Sequence, residues 1–261
     1  MGTLQGSWVW YELVTPDPDG AKAFYDAVVG WTIDAAPAGE MDYRMIVNPD
    51  RGLTGGVMRL TADMANHGAR PIWLGYIGVD NVDASVEAIE AAGGKALLPA
   101  FDIPQAGRIA MVADCCGAPF YVMTPTPPPG GGESTSFSSM PNPGRCGWNE
   151  LYAGNQASAI AFYTGQFGWT LPEPMDMGPM GKYQFIAHDG VTVGAIMQKP
   201  EQVPAALWAH YFWVPGIEAA KTRIEANGGQ VINGPHEVPG PLWIVQGIDP
   251  QGAMFSLVGN K

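Results

Sequence analysis

The pattern of residues along WVWYELV, at residues 8–14, predicts a β-strand whose side chains alternate between two faces. The next stretch, residues 16–30, opens with Pro and Asp, carries Ala, Phe and Val at helical spacing, and stops at a glycine. Three short apolar stretches separated by Gly, Pro and Asp lie between residues 31 and 60. This pattern predicts one βαβββ unit.

The same order of elements recurs along the chain. Residues 72–125 read as strand, helix with a Gly-Gly stop, and three strands. The second half repeats the first, with W-x-E-L, A-F-Y and G-W-T at matching offsets. Four pairs of landmarks align in this way: Trp10 with Trp148, Glu12 with Glu150, Phe24 with Phe162, and Trp31 with Trp169. The sequence therefore predicts an α+β fold of four βαβββ units in two tandem domains.

A segment rich in Pro, Gly and Ser, TPTPPPGGGESTSFSSMPNPG, separates the two halves. Prolines cannot donate to a strand ladder, and neither a strand nor a helix period is present in this segment. We therefore predict a first domain at residues 1–125, a linker at 126–144 and a second domain at 145–261.

Composition narrows the classes of function. The chain has 261 residues, and its 25 acidic against 13 basic residues give a formal charge of −12, which disfavours nucleic acid as a partner. It shows neither an apolar run long enough to span a membrane nor the pattern of a signal peptide, so we expect a cytoplasmic protein without membrane contact. The three cysteines, Cys115, Cys116 and Cys146, form no disulfide framework, and the adjacent pair reads as a tight turn ending a strand.

The paired βαβββ units, the A-F-Y followed by G-W, and the D-P-Q-G-A turn before a last strand resemble the vicinal oxygen chelate superfamily. This superfamily includes glyoxalase I, extradiol dioxygenases and bleomycin-resistance proteins, and the likeness is greatest to its tandem glyoxalase-like members. The resemblance implies curled mixed sheets around a cleft. It also implies a divalent metal held by four ligands, one from the first strand and one from the last strand of each unit.

At the positions where the resemblance implies metal ligands, this sequence has other residue types. The first-strand positions fall on Trp10 and Trp148 in the two halves. The other positions fall on or near Leu74, Ala209, Val57, Tyr121, Ile196 and Ser256. None of these side chains is the thiolate, imidazole or carboxylate that usually binds a metal ion. We therefore expect no metal and no other cofactor.

Two glutamates are candidate catalytic residues. If the first strand keeps its pleat, Trp8, Trp10 and Glu12 share the cleft face, and Glu150 lies beside Trp148 in the same way. A carboxylate among aromatic rings is partly desolvated, which suits it to general acid or base chemistry. Alternatively, Glu12 and Glu150 accept hydrogen bonds and hold the strand ends without a catalytic role.

Aromatic residues point to ligand binding. The candidate ligand-binding residues on the cleft strands are Trp10, Tyr76, Tyr121, Trp148, Tyr211, Trp213 and Ser256. They would form apolar pockets with a few polar tips, as small-molecule sites do, or simply fill the cleft as core. Arg108 is a further candidate, because it lies across a Pro-Gly turn from Asp102 and could hold an anion or pair with that carboxylate.

The four histidines do not restore a metal site. His67, His188 and His236 lie in loop or turn sequence, and His210 alternates onto the helix-facing side of its strand. No H-x-H or H-E-x-x-H spacing occurs.

From these observations we predict a small-molecule binding or sequestering protein of the glyoxalase and bleomycin-resistance type. Its expected partner is an apolar or aromatic molecule. The alternative is a lyase or isomerase of the glyoxalase type, either metal-dependent or using Glu12 and Glu150, since a one-residue register slip would exchange the two faces of a strand. An interaction scaffold is a third reading. Because four units already occur in one chain, we expect a monomer with an internal pseudo-dimer.

Overall fold

The structure, a computed structural model, describes residues 4–37, 41–126 and 134–261. It contains four βαβββ modules, as the sequence predicts. The first module comprises β1 Trp8–Thr15, α1 Pro18–Val28, β2 Thr32–Ile33, β3 Tyr43–Val47 and β4 Leu53–Arg59. The second comprises β5 Ile72–Gly78, α3 Val82–Ala91, β6 Lys95–Ile103, β7 Gly107–Ala113 and β8 Pro119–Pro125.

The second half repeats this order. The third module comprises β9 Cys146–Ala153, α4 Gln156–Phe167, β10 Met175–Asp176, β11 Lys182–His188 and β12 Val191–Gln198. The fourth comprises β13 Leu207–Gly216, α5 Ile217–Ala226, β14 Gln230–Val238, β15 Leu242–Ile248 and β16 Met254–Asn260. A short helix, α2 Ala62–Asn66, was not predicted, because the polar stretch that forms it has no buried residue and therefore no helical apolar period.

Local signals explain where the helices begin. Asp17, Asn81 and Asn155 each accept a hydrogen bond from a backbone N–H in the first turn of α1, α3 and α4, respectively. Helix α4 ends at Gly168, whose φ of 66° is the left-handed conformation that favours glycine. No helix within the described ranges is long and apolar enough to cross a membrane.

The strands form two mixed sheets of eight. Their orders are β2-β3-β4-β1-β5-β8-β7-β6 and β10-β11-β12-β9-β13-β16-β15-β14. In every module the first strand pairs with the last strand of the same module in parallel. The last strand also pairs with the strand before it, and this pair is antiparallel. The predicted α+β fold of two tandem glyoxalase-like domains with mixed sheets is confirmed.

The chain also divides into two compact units that do not coincide with its two halves. Unit 1 comprises Met1–Val9, Gly75–Ser134 and Trp148–Trp208, and it therefore holds most of the second and third modules. Unit 2 comprises Trp10–Leu74, Thr135–Gly147 and Ala209–Lys261, and it holds most of the first and fourth modules.

The tyrosine of each A-F-Y motif lies at the centre of a core. In unit 1 the fully buried Tyr163 donates from Oη to Asp114 at 3.2 Å and accepts from Trp208 Nε1 at 2.8 Å. In unit 2 Tyr25 donates to Asp249 at 2.9 Å and accepts from Trp73 Nε1 at 2.9 Å. The repeated motif therefore specifies a buried hydrogen-bonded core in each unit.

The tryptophan of each G-W-T motif completes the same cores. Trp169 stacks on Tyr163 at 5.5 Å between ring centroids, and its Nε1 donates to the carbonyl of Gly6. Trp31 lies 5.7 Å from Tyr25 and donates to the carbonyl of Gly144. The landmarks that reveal the duplication are thus packing residues.

Part of the predicted linker is packed into unit 2. Residues 127–133 of the linker lie outside the described residues. Just after the linker, the buried Arg145 pairs with Asp50 at 2.6 Å and donates to the carbonyl of Thr135. The carbonyl of Gly144 accepts from Thr54 Oγ1 at 2.8 Å as well as from Trp31. Residues 135–147 are therefore held by specific contacts.

Candidate ligand-binding faces

One side of the third module carries a cluster of aromatic and methionine side chains, which we call the third-module face. Its residues are Trp148, Tyr152, Met175, Met177, Tyr183, Phe185, Ala195 and Met197. Tyr183, Ala195 and Met197 are buried, whereas the other members are half-buried and keep part of their surface in contact with solvent. Half-exposed rings of this kind provide the apolar contact area that small-molecule sites use.

A chain of hydrogen bonds runs across this face to Glu150. Trp148 Nε1 donates to Tyr183 Oη at 2.8 Å, and Tyr183 Oη donates to Glu150 Oε2. Burial, followed by the adjacent Glu150 carboxylate, raises the pKa of Tyr183 well above its usual range, so its hydroxyl stays protonated as a donor. The buried glutamate is therefore fixed by a tyrosine and a tryptophan that the strand register brings to it.

A small residue on the last strand makes room for this arrangement. Glu150 lies opposite Ala195 on the parallel strand β12, and Ala195 lies opposite Phe185 on β11. Because alanine projects little above the sheet, the ring of Tyr183 can reach across toward Glu150.

The first module has the same construction in unit 2. Trp10 Nε1 donates to Tyr43 Oη at 2.8 Å, and Glu12, with 2% of its surface exposed, lies opposite Gly56 on β4. The ring of Tyr43 occupies the space where a side chain at Gly56 would stand. The first and third modules therefore agree with the prediction that Trp10 shares a face with Glu12, and Trp148 with Glu150.

The predicted aromatic residues of the second module stack on each other. Tyr76 and Tyr121 are opposite one another on parallel strands, with ring centroids 4.3 Å apart and an angle of 14° between planes. Both rings are buried. They serve first as core for unit 1, the alternative that the sequence left open.

The fourth module is polar where the others are aromatic. Gln246 Nε2 donates to Tyr211 Oη at 3.0 Å and to Ser256 Oγ at 3.4 Å, and its Oε1 accepts from Asn233 Nδ2 at 2.8 Å. Tyr211 and Ser256 lie opposite each other on parallel strands. The structure therefore brings these two predicted residues together, around a glutamine that sequence reasoning missed.

Two tryptophans that the sequence predicted at the cleft are buried. Trp213 is buried against the segment before β9, where its Nε1 donates to the carbonyl of Ser138 and its ring fills the space beside Gly147. Trp8 packs against Trp208 at 5.0 Å and against Trp169 at 5.9 Å in the core of unit 1. Neighbouring segments cover both rings, so Trp8 lies in a core and not in the predicted cleft, whereas the ligand contact of Trp213 stays a prediction.

Arg108 is held by carboxylates. Its Nε and Nη2 each lie 2.8 Å from Asp83, and its Nη1 lies 3.2 Å from Asp102. Hydrogen bonding to Asp83, and then to Asp102, raises the pKa of Arg108. The predicted pairing with Asp102 is confirmed, whereas two carboxylates around one guanidinium oppose the binding of an anion, so the predicted ligand role is not supported.

His210 lies on the core side of its strand, as its alternation predicts. Its ring is buried and packs edge-on against Tyr11, with 4.9 Å between ring centroids. Burial lowers the pKa of His210 to about 3. The imidazole is consequently neutral throughout the physiological range.

Comparison with known proteins identifies the family. The sequence profile described as the "Glyoxalase/Bleomycin resistance protein/Dioxygenase superfamily" matches residues 8–121 and 145–257. The chain belongs to this superfamily. It is 33% identical over 259 residues to CFP32 of Mycobacterium tuberculosis, provisionally named a glyoxylase, with 97% of this chain and 95% of that protein covered.

A second relative and a solved structure extend the comparison. The "Anthracycline biosynthesis protein DnrV" of Streptomyces peucetius is 29% identical over 265 residues, with 97% of this chain and 93% of that protein covered. The Mn(II)-bound glyoxalase of Novosphingobium aromaticivorans superposes with a TM-score of 0.64 at 17% identity, covering 98% of this chain and 82% of that one. At that identity the likeness establishes the superfamily fold.

The residues at the superfamily's metal positions do not fit a divalent ion. Gly56 and Ala195, rather than the neighbouring Val57 and Ile196, share a face with the two glutamates, and neither offers a ligand atom. Glu150 is already the acceptor of the Tyr183 hydroxyl. Among the residues that the structure describes, no three His, Cys, Asp or Glu side chains are grouped so that they could hold a metal.

This donor set leads to a prediction for metal content. The purified protein, dialysed without chelator, should hold less than about one-tenth equivalent of any transition metal, since affinity depends on ligand number and geometry. A chelator should leave its melting temperature unchanged, because no folding energy is linked to an ion. Elemental analysis makes the measurement. Near-stoichiometric nickel, zinc, iron or manganese would contradict it and place Glu12 or Glu150 among the ligands.

Sequence reasoning missed Tyr43 and Tyr183, although the repeat contains the signal. They follow Trp10 and Trp148 by 33 and 35 residues, in equivalent strands of the first and third modules. Aligning the third strands of the repeat, in addition to the first, would have paired them. Gln246 has no equivalent signal, because its partners come from three other strands.

Proposed function

We propose that the protein binds a planar, apolar or aromatic small molecule on the third-module face without using a metal. The observation that carries the proposal is this half-buried group of aromatic and methionine side chains around Glu150, whose carboxylate accepts from Tyr183. Methionine adapts to different shapes, and aromatic rings offer large flat contact areas. A face built in this way suits a ligand with fused rings.

A relative supports the same class of ligand. DnrV is named as an anthracycline biosynthesis protein and aligns with 97% of this chain. Anthracyclines are fused-ring aromatic molecules with polar edges. Trp148 and Phe185, whose centroids lie 6.0 Å apart in an edge-to-face arrangement, would contact the apolar part of such a ligand.

A fluorescent anthracycline provides a direct test. Titration into the full-length protein should give saturable binding, and the bound ligand should raise the melting temperature because it binds the native state alone. Replacing the half-buried Phe185 with alanine should weaken binding by about tenfold, as expected when one aromatic contact worth about 1.4 kcal/mol is lost.

Phe101 supplies the matched control. It is another partly exposed phenylalanine of unit 1, and it lies on β6 outside the third-module face. Phe101→Ala should leave the affinity unchanged. Equal weakening by both substitutions, or absence of binding and thermal shift across a panel of aromatic metabolites, would contradict the proposed function.

A glyoxalase-type lyase or isomerase is the second candidate. It is favoured by the two buried glutamates, each beside a tryptophan and a tyrosine, because a desolvated carboxylate can act as an acid or base. Activity with methylglyoxal and a thiol, measured with and without nickel or zinc, separates this candidate from the first. If activity is found and both Glu12→Gln and Glu150→Gln retain it, these residues are not its catalysts.

A further inference from the structure

The adjacent cysteines Cys115 and Cys116 occupy the tight turn between β7 and β8. Asp114 fixes this turn, because its backbone N–H donates to the carbonyl of Ala118 and its Oδ1 accepts from the backbone N–H groups of Cys116 and Ala118, at 2.7 and 2.9 Å. Gly117 closes the turn with a φ of 91°, a conformation that favours glycine. The positions of the two cysteine backbones are therefore set by the turn.

The turn brings the two thiols together. In a strand, adjacent side chains would point to opposite faces, whereas here the Sγ atoms are 3.9 Å apart. Both cysteines are free and half-buried, so a small reagent can reach them. The separation is well beyond a disulfide bond of about 2.05 Å, which leaves two reduced sulfurs side by side.

We propose that Cys115 and Cys116 form a dithiol site for a trivalent organoarsenical, a soft thiophilic reagent that bonds to two sulfurs at once. Soft sulfur ligands select soft metals and metalloids. The second bond to sulfur is intramolecular once the first has formed, which favours a paired site over any single cysteine. This site is separate from the proposed aromatic ligand site.

The chemistry balances without an oxidant. An arsenic oxide R–As=O reacts with two S–H groups to form two As–S bonds, and its oxygen leaves as water with the two thiol protons. Burial, and then the neighbouring Cys116, raise the pKa of Cys115 to about 12, so this thiol is protonated at neutral pH. A protonated thiol resists oxidation, which keeps the pair reduced and available.

The other half of the chain shows that the turn does not require cysteines. Asp249 accepts from the backbone N–H groups of Gln251 and Ala253 at 2.9 and 2.8 Å, in the same turn before β16. Pro250 and Gln251 stand there in place of the two cysteines. Substitution of the thiols should therefore leave the fold intact.

Phenylarsine oxide, added to the full chain reduced with a phosphine, tests the site. We expect one arsenical per chain by mass spectrometry of the intact protein, release by a dithiol, and a raised melting temperature. Cys115→Ser and Cys116→Ser should each weaken binding by at least about 100-fold, because each leaves a single sulfur. Cys146→Ser should bind as the unsubstituted protein does, since Cys146 is buried elsewhere in the chain.

Other results would overturn the proposal. Equal binding by the unsubstituted protein and Cys115→Ser would show that the pair does not chelate. A requirement for Cys146 would place the site elsewhere. A lowered melting temperature on binding would show that the arsenical is taken up by the unfolded chain.

Discussion

Gly194→Ala should destabilise unit 1 by about 3 kcal/mol or more, because added atoms at a close approach of two backbones cannot be accommodated. Gly194 lies on β12 opposite Asn149 of the parallel strand β9. A Cβ atom at this position would overlap the carbonyl oxygen of Asn149, which is backbone and cannot rotate away. The strands that carry the third-module face would have to separate, so we expect a large decrease in the urea midpoint of unfolding.

Gly165→Ala is the matched control within the same unit. Gly165 lies inside α4, and a Cβ atom there would meet no atom within 4 Å. The unfolded chain has less conformational entropy with alanine than with glycine at this position, so less entropy is lost on folding. The substitution should therefore stabilise the protein by about 0.5–1 kcal/mol. Opposite shifts of the two midpoints, followed by tryptophan fluorescence, are the expected result. Equal midpoints would contradict the close approach of β9 and β12.

The buried His210 should make the protein sensitive to mild acid. Its pKa is lowered to about 3 by burial, whereas in the unfolded chain it is about 6.5. Between these values the unfolded state binds the extra proton, so stability falls as the pH decreases. The loss due to His210 should be about 2 kcal/mol between pH 7.5 and pH 5, and should approach 4–5 kcal/mol near pH 3, at about 1.4 kcal/mol per pH unit.

Comparison with His210→Gln isolates this contribution. The variant should lose about 2 kcal/mol less than the unsubstituted protein between pH 7.5 and pH 5, where most carboxylates are still ionised. Parallel stability curves for His210→Gln and the unsubstituted protein would show that His210 is not buried in the neutral form.

The sequence predicted the four modules because their signals are local. The apolar, aromatic-rich run of β1, the cap at Asp17 and the glycine that ends α4 each act within a few residues. The duplication was visible because equivalent core residues, such as Tyr25 and Tyr163, have the same spacing along the sequence to the other residues of the repeat. α2 was missed because it buries no residue; at its start the backbone N–H of Met64 donates to Thr61 Oγ1.

The candidate site was predicted less completely. Trp10, Glu12, Trp148 and Glu150 followed from the period of a single strand. The partners of those residues did not, because Tyr43 and Tyr183 reach them from strands more than 30 residues away. Pairing across strands depends on register, which no single strand specifies.

The sequence by itself determined the family fold and the four modules, because these depend on residue type and local period. Tertiary structure alone decided which side chains meet. It buried Trp213 under residues 138–147, surrounded Arg108 with two carboxylates, and placed Gln246 between Tyr211 and Ser256. The contacts between distant residues are those of Trp213 with Ser138, Arg108 with Asp83, and Gln246 with Tyr211, and their proximity arises only when the strands and the segment before β9 pack together.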